Sequence, residues 1–178
     1  MKTQKLFIYL FMIAAVTFSC DELDELTEFD VNGGFDTTIS VNLTDDSQGQ
    51  PVTLSETAAI NIASNQDISD NLNQIQDITI NSLTFEIDNY VGADDVTVSS
   101  ASVSFGSTTV SVEDIVLKTA DDGNIVYEVQ DASQLTAIGN FLENNPVLSV
   151  TLMGTISSTP AQFDVIVTLD TTVTIDAL

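Results

Sequence analysis

The longest regular pattern in this chain is an alternation of apolar and polar residues near its C-terminus. One side of the alternation holds Phe163, Val165, Val167, Leu169, Thr171, Val173 and Ile175. Successive side chains of a β-strand point to opposite faces, so a period of two over residues 163–175 predicts one long strand with one buried face. Such a strand needs partners of similar length, which favours a chain that is mainly β.

Shorter alternations occur upstream, starting with Phe35 to Leu43. Two of them change phase by one residue, at Asn81-Ser82 and at Ser99-Ser100. A single inserted residue is typical of a β-bulge, so we expect a bulge at each place. Asp121-Asp122-Gly123-Asn124 has the composition of a hairpin turn between two further strands.

Two segments have helical spacing instead. Ile68, Leu72 and Ile75 follow Asp67, which we expect to cap a short helix. A second helix is predicted to start at Asp131, with Gln134 completing a capping box, and to end at residues 144–146. About eight strands with one or two short helices predict an antiparallel β-sandwich, immunoglobulin-like or related.

The charge of the chain excludes several classes of function. It has 27 Asp and Glu against three Lys and Arg, with no His and no Trp. Nucleic-acid binding requires basic residues that neutralise phosphates, so no nucleic-acid partner is expected. Without histidine, the chain cannot carry out histidine acid–base catalysis. A zinc site of His and Cys is also excluded, because the chain has a single cysteine. Carboxylates are the only abundant reactive groups. We therefore expect that this chain is not an enzyme.

The N-terminus has the layout of a secretory signal peptide. Lys2 and Lys5 precede an apolar run at residues 6–16, and a short junction at 17–19 leads to Cys20, the sole cysteine. The apolar run is shorter than the roughly 20 residues that a membrane span needs. A lone cysteine directly after such a segment calls for a role other than a disulfide within the chain.

This segment resembles the signal of a bacterial lipoprotein. The resemblance implies cleavage before Cys20 and acylation of that residue, which would make the membrane a partner through the attached lipid. Asp21, Glu22, Asp24 and Glu25 resemble the acidic export tag of Bacteroidota lipoproteins, which implies the outer face of the outer membrane. Several acyl chains on one residue give a durable anchor.

We therefore predict three regions: a signal peptide at 1–19, an acidic flexible tether at 20–33, and a single β-sandwich domain at 34–178. The acidic residues all follow Cys20, and Lys118 is the only basic residue there. The mature chain thus has 27 negative charges and one positive charge, a net charge of −26.

Three acidic loops are candidate calcium ligands, because calcium takes oxygen atoms from carboxylates and amides. These residues are Asp45, Asp46, Asp94, Asp95, Asp121, Asp122 and Asn124. None of the loops matches the EF-hand pattern, and the same residues are common in ordinary turns. We expect no cofactor other than possible calcium at these loops.

The sequence thus favours a lipid-anchored, non-catalytic module of the cell envelope that works in binding, adhesion or assembly. Its protein or glycan partner has no signature in the sequence. Two alternatives are a calcium-dependent carbohydrate-binding accessory protein and the structural subunit of a surface fibre.

Overall fold

The computed structural model describes residues 27–177, which form two antiparallel β-sheets packed face to face around one core. Strands account for 58% of the structure, so the predicted mainly-β sandwich is confirmed. The sandwich has nine strands. The predicted signal peptide, Cys20 and the acidic export tag lie outside the described residues.

The first sheet has four strands in the order β1-β9-β3-β7. Their bounds are Glu28–Leu43 for β1, Ala161–Asp176 for β9, Ile75–Val91 for β3 and Val126–Glu128 for β7. The predicted C-terminal strand is β9, and it lies between the two other long strands. Leu169 pairs with Phe35 of β1 on one side and Leu83 of β3 on the other. All three side chains are buried, as expected for a strand with one apolar face.

The second sheet has five strands in the order β2-β8-β4-β5, with β6 paired to β4. Their bounds are Val52–Asn61 for β2, Val147–Ile156 for β8, Thr97–Phe105 for β4, Thr108–Ser111 for β5 and Ile115–Val116 for β6. The edge strand β2 carries Glu56 opposite the inward-facing Leu152, yet Glu56 is exposed. A charged residue in the inward phase of an edge strand disfavours pairing with another strand.

Both predicted bulges are present. The register between β3 and β9 shifts between Ile80 and Ser82, and that between β4 and β8 shifts between Ser99 and Ser102. Ser100 has a φ of 50°, the left-handed conformation of an inserted residue. Two further shifts lie near the ends of β3, one between Ile75 and Asp77 and one between Asp88 and Val91, where Asn89 has a φ of 57°.

Three α-helices connect the strands: α1 at Gln66–Asp70, α2 at Leu117–Asp122 and α3 at Ala132–Asn144. The predicted first helix is shorter than expected and continues as a 3₁₀ turn at Leu72–Gln74. Asn65 caps α1, not Asp67, because the Asn65 side chain accepts the backbone N–H groups of Asp67 and Ile68.

Helix α2 replaces the hairpin that was predicted at residues 121–124. Leu117 and Ala120, on the first turn of the helix, are both buried. Burying these two residues favours a helical turn. Gly123 follows the helix, and its N–H donates to the carbonyl of Thr119 at 3.1 Å.

The cap of α3 at Asp131 is as predicted. Its carboxylate accepts the backbone N–H groups of Ser133 at 2.8 Å and Gln134 at 3.4 Å. The other half of the capping box is absent, because the Gln134 amide donates to the carbonyl of Thr109 instead.

These hydrogen bonds predict a pH-dependent contribution of Asp131 to stability. The bonds from the Ser133 hydroxyl, from its N–H and from the Gln134 N–H hold the pKa of Asp131 below its usual value. A lowered pKa in the folded state stabilises the fold above about pH 4, and this contribution disappears as the pH falls through the folded pKa. We expect Asp131→Ala to lower the melting temperature at pH 7, with the difference from the native protein shrinking below about pH 4.

Asp131→Asn is the matched control, because an amide caps a helix without titrating. The melting temperature of Asp131→Asn should therefore stay above that of Asp131→Ala at low pH. Thermal unfolding of the three proteins between pH 3 and pH 7 measures both effects. A difference between Asp131→Ala and the native protein that stays constant over this range would contradict the assignment.

The predicted boundary between tether and domain at residue 34 is corrected by six residues. Strand β1 starts at Glu28 and pairs with β9 along its whole length. Val31 is buried, and the Thr174 hydroxyl donates to the Asp30 carboxylate at 2.8 Å. Glu28 and Asp30, two of the carboxylates that suggested a mobile segment, are exposed on the solvent side of this strand.

The sandwich has two ends with different connections. Residues 44–51, 92–96 and 157–160 join strands at one end, which we call the loop end. Glu28 pairs with Asp176 at the opposite end, the terminal end. With a rise of about 3.3 Å per residue, the 16 residues of β1 separate the two ends by roughly 50 Å.

Candidate functional site

The loop end brings the predicted acidic loops together. Residues 45–46 follow β1, residues 94–95 lie between β3 and β4, and residues 121–124 end α2. Helix α2 joins this end because the N–H of Leu117 donates to the carbonyl of Val96 at 3.1 Å. All three predicted acidic loops therefore lie at the same end of the sandwich.

Asp45 and Asp46 border an open cleft of about 290 Å³ beside Thr159. The carboxylate of Asp46 accepts the N–H of Gln48 at 2.7 Å, which closes a turn. The carbonyl of Asp45 accepts the hydroxyl of Thr159. Ser47 and Thr159 exchange two further bonds at 3.0 Å each. These contacts fix the loop against the 157–160 connection.

Tyr90 lies among the other acidic residues of this end. Its hydroxyl donates to the carbonyl of Ala93 at 2.7 Å, and its N–H donates to the Asp121 carboxylate at 3.3 Å. Partial burial and the charges of Asp94 and Asp95 raise the pKa of the Tyr90 phenol, while Lys118 opposes them. The ring lies so close to Gly92 that a Cβ there would be 2.3 Å from the phenol oxygen.

Lys118, which the sequence analysis noted only as the sole basic residue after Cys20, also belongs to this group. It pairs with Asp122 one helical turn away at 2.9 Å. The hydrogen bond from Lys118 to Asp122 and the charges of Asp122, Asp94 and Asp121 raise the pKa of the amine. A lysine four residues before an aspartate in an acidic loop is the signal that could have indicated this pair.

Several candidate calcium ligands thus have other partners. Asp121 accepts from Tyr90, Asp122 accepts from Lys118, and Asn124 has a φ of 46° in the turn after α2. Within residues 27–177, no three acidic side chains converge as a metal-binding group. The calcium site stays a prediction. If calcium binds there, millimolar calcium must raise the melting temperature of the protein, and it must do so by more than the same concentration of magnesium.

Several aromatic side chains within residues 27–177 contribute to packing. Phe163 is buried, and Phe141 packs against the core beside Gly106. Phe85 and Tyr127 stack with ring centroids 5.1 Å apart and an interplanar angle of 9°.

The outer faces of the two sheets differ in charge. The outer face of the four-stranded sheet, which we call the carboxylate face, presents Glu28, Asp30, Asp36, Glu86, Asp88, Glu128, Asp164, Asp170 and Asp176. Serine and threonine hydroxyls donate to several of them, for example Ser40 to Asp164 at 2.6 Å and Ser82 to Asp170 at 3.1 Å. Negative charge is thus spread over the length of this sheet.

Among the residues that the structure describes, the outer face of the five-stranded sheet has no charged side chain. We call it the hydroxyl face, and it comprises Thr53, Ser55, Thr57, Ala59, Asn61, Ser99, Ser102, Ser104, Thr109, Ser111, Val147, Ser149, Thr151, Met153 and Thr155. Direct neighbours bond through their hydroxyls, as Thr57 and Thr151 do at 3.0 Å. Serine and threonine recur at outward positions of β2, β4 and β8, but only the strand order brings these positions together as one face.

Within residues 27–177, no helix is long and apolar enough to cross a membrane.

No protein-family model and no curated protein matches this chain. A solved structure described as a decameric BFDV capsid protein is similar over 82% of this chain and 98% of its own, with 10% identity and a TM-score of 0.38. At that TM-score, the similarity supports no conclusion about function.

Proposed function

We propose that this chain is a lipid-anchored lipoprotein of the outer membrane, exposed at the cell surface, whose sandwich domain works in binding or assembly without catalysis. The observation that carries the proposal is the position of the sole cysteine. Cys20 follows a signal-like segment and precedes an acidic run, and the first strand starts only eight residues later, at Glu28.

The short connection supports a defined arrangement at the membrane. Eight extended residues span at most about 28 Å, which is less than the roughly 50 Å length of the sandwich. The terminal end would therefore lie next to the membrane. The loop end, with its acidic residues, would be the part best placed to extend away from it.

The residue inventory supports a non-catalytic role. Every fully buried side-chain polar atom within residues 27–177 has a hydrogen-bond partner, so the polar groups of the core serve the fold. The chain also lacks histidine, the commonest acid–base group of enzymes. Its exposed surfaces, by contrast, are extensive and chemically distinct.

Loss of the anchor is the expected result of Cys20→Ala. Without the thiol, no acyl chain can be attached, and we expect most of the protein to move from the membrane fraction to the soluble fraction. Fractionation followed by immunoblotting measures the shift, and incorporation of labelled palmitate measures acylation directly. Retention of Cys20→Ala in the membrane would disprove the lipid anchor.

A matched variant separates anchoring from surface exposure. Replacing Asp21, Glu22, Asp24 and Glu25 by alanine leaves Cys20 intact, so this variant should remain in the membrane fraction. We expect external protease to degrade the native protein on intact cells but to spare this variant. Equal degradation of both would remove the role of the acidic run in export.

A further inference from the structure

We propose that the hydroxyl face is an interface between two copies of this chain, which associate weakly through their five-stranded sheets. The proposal deepens the assembly role proposed above by naming the partner. It rests on the charge and chemistry of the two faces of the sandwich and not on the lipid anchor.

Charge restricts where two copies can meet. The mature chain has a net charge of −26, and the carboxylate face and the loop end both present negative groups. Two such surfaces repel each other on approach. The hydroxyl face is the extended surface within residues 27–177 where two copies can come together without placing carboxylates opposite each other.

Hydrogen-bonding chemistry favours contact of this face with its own copy. A two-fold interface brings the same patch of each subunit together, so the patch must complement itself. A hydroxyl group both donates and accepts hydrogen bonds, and it can therefore pair with another hydroxyl. An ionised carboxylate only accepts, so carboxylates that meet across a two-fold interface cannot bond to each other.

The centre of the hydroxyl face has the apolar element that an interface core needs. Met153 lies on the inner strand β8, with Ser55 on one side and Ser102 on the other, and is 40% exposed. Methionine adapts its shape to a partner, which is why it is common at binding surfaces. Glu56 and residues 113–114 lie at the borders of the face, where they remain in water.

The size of the face predicts a weak dimer. Strands β2 and β8 have 10 residues each, β4 has 9 and β5 has 4. At roughly 16 Å² per residue in a flat sheet, two such faces would bury on the order of 1,000 Å², near the lower limit for a specific interface. Weak association in solution would become stronger on a membrane, where anchored copies share a small volume.

The test is sedimentation equilibrium of mature chains, residues 20–178, that carry Cys20→Ala and so need no detergent. These chains contain every described strand and helix. We expect concentration-dependent dimers that become tighter as salt rises, because screening weakens repulsion between the copies. Monomers at every concentration up to about 1 mM in high salt, or dimers that salt dissociates, would overturn the proposal.

Two variants with the same change in net charge locate the interface. Thr151→Glu places a carboxylate next to Met153 at the centre of the hydroxyl face, and we expect it to weaken the dimer by more than about tenfold. Thr168→Glu places the same charge on the central strand of the carboxylate face and should leave the dimer almost unchanged. Circular dichroism checks that both variants fold.

Other results would assign the face differently. Equal weakening by both variants would mean that net charge, and not this face, controls association, and would overturn the proposal. A monomeric chain that binds a neutral polysaccharide, with Thr151→Glu abolishing the binding, would make the face a glycan site instead. Because all these chains lack the lipid, failure of self-association leaves the test of the anchor at Cys20 independent.

Discussion

Leu169→Ala is expected to destabilise the domain by about 3–5 kcal/mol. Leu169 is fully buried in the middle of β9, between Phe35 of β1 and Leu83 of β3. Removing its side chain leaves a cavity that two long paired strands cannot close by moving. Because domains of this size are stable by about 5–15 kcal/mol, this single change would remove a large part of the total.

Urea unfolding measures the effect as a shift of the midpoint with an unchanged slope. Leu169→Met conserves the volume and should lose less than about 1.5 kcal/mol. Thr168→Ala, the next residue on the outer face, should change stability by less than about 1 kcal/mol because it opens no cavity. A loss below 1 kcal/mol for Leu169→Ala would contradict the central position of β9.

The elements with a regular pattern were predictable from the sequence. The alternation around Leu169 identified β9, and the phase changes at residues 81–82 and 99–100 identified two bulges. Asp131 identified the start of α3 because its carboxylate caps the helix locally. In each case, the residues that determine the structure are neighbours in the sequence.

The missed elements depend on distant contacts. Residues 121–124 have the composition of a turn, and residues 123–124 form one, but the turn follows helix α2, whose Leu117 and Ala120 are buried in the core, and does not join two strands. Residues 28–33 look like a tether, yet they form strand because β9 offers partners more than a hundred residues away. Local propensity contains no information about such distant partners, so tertiary packing can override the structure that it favours.

The candidate sites also divide into features that the local sequence predicts and features that depend on distant contacts. The sequence identified acidic residues as the distinctive groups, and the structure brings three of their loops to one end. What the sequence analysis did not identify is the hydroxyl face, because serine and threonine in strands are unremarkable one strand at a time. The face exists only when the order β2-β8-β4-β5 places their outward residues side by side.

The second large effect on stability is expected for Gly139→Ala in α3. Whether this change stabilises or destabilises the protein tests how closely α3 packs against the sheet. Gly139→Ala in an exposed helix would stabilise it by up to about 1 kcal/mol, because alanine is the better helix former. Here a Cβ at Gly139 would lie 2.2 Å from the carbonyl oxygen of Ile78 in β3. The obstructing atom belongs to the backbone, so it cannot rotate away.

The helix would therefore have to move away from the sheet, although Ile138 and Leu142 on either side are fully buried. Overpacking of this kind typically destabilises by about 1–3 kcal/mol, and we expect Gly139→Ala to reach the upper part of that range. Asn140→Ala, at the next, exposed position, is the control and should be neutral or slightly stabilising. Urea midpoints of both variants, with hydrogen exchange of the α3 amides, measure the result. A stabilising Gly139→Ala would show that α3 does not pack against Ile78, because only that close contact reverses the usual preference for alanine.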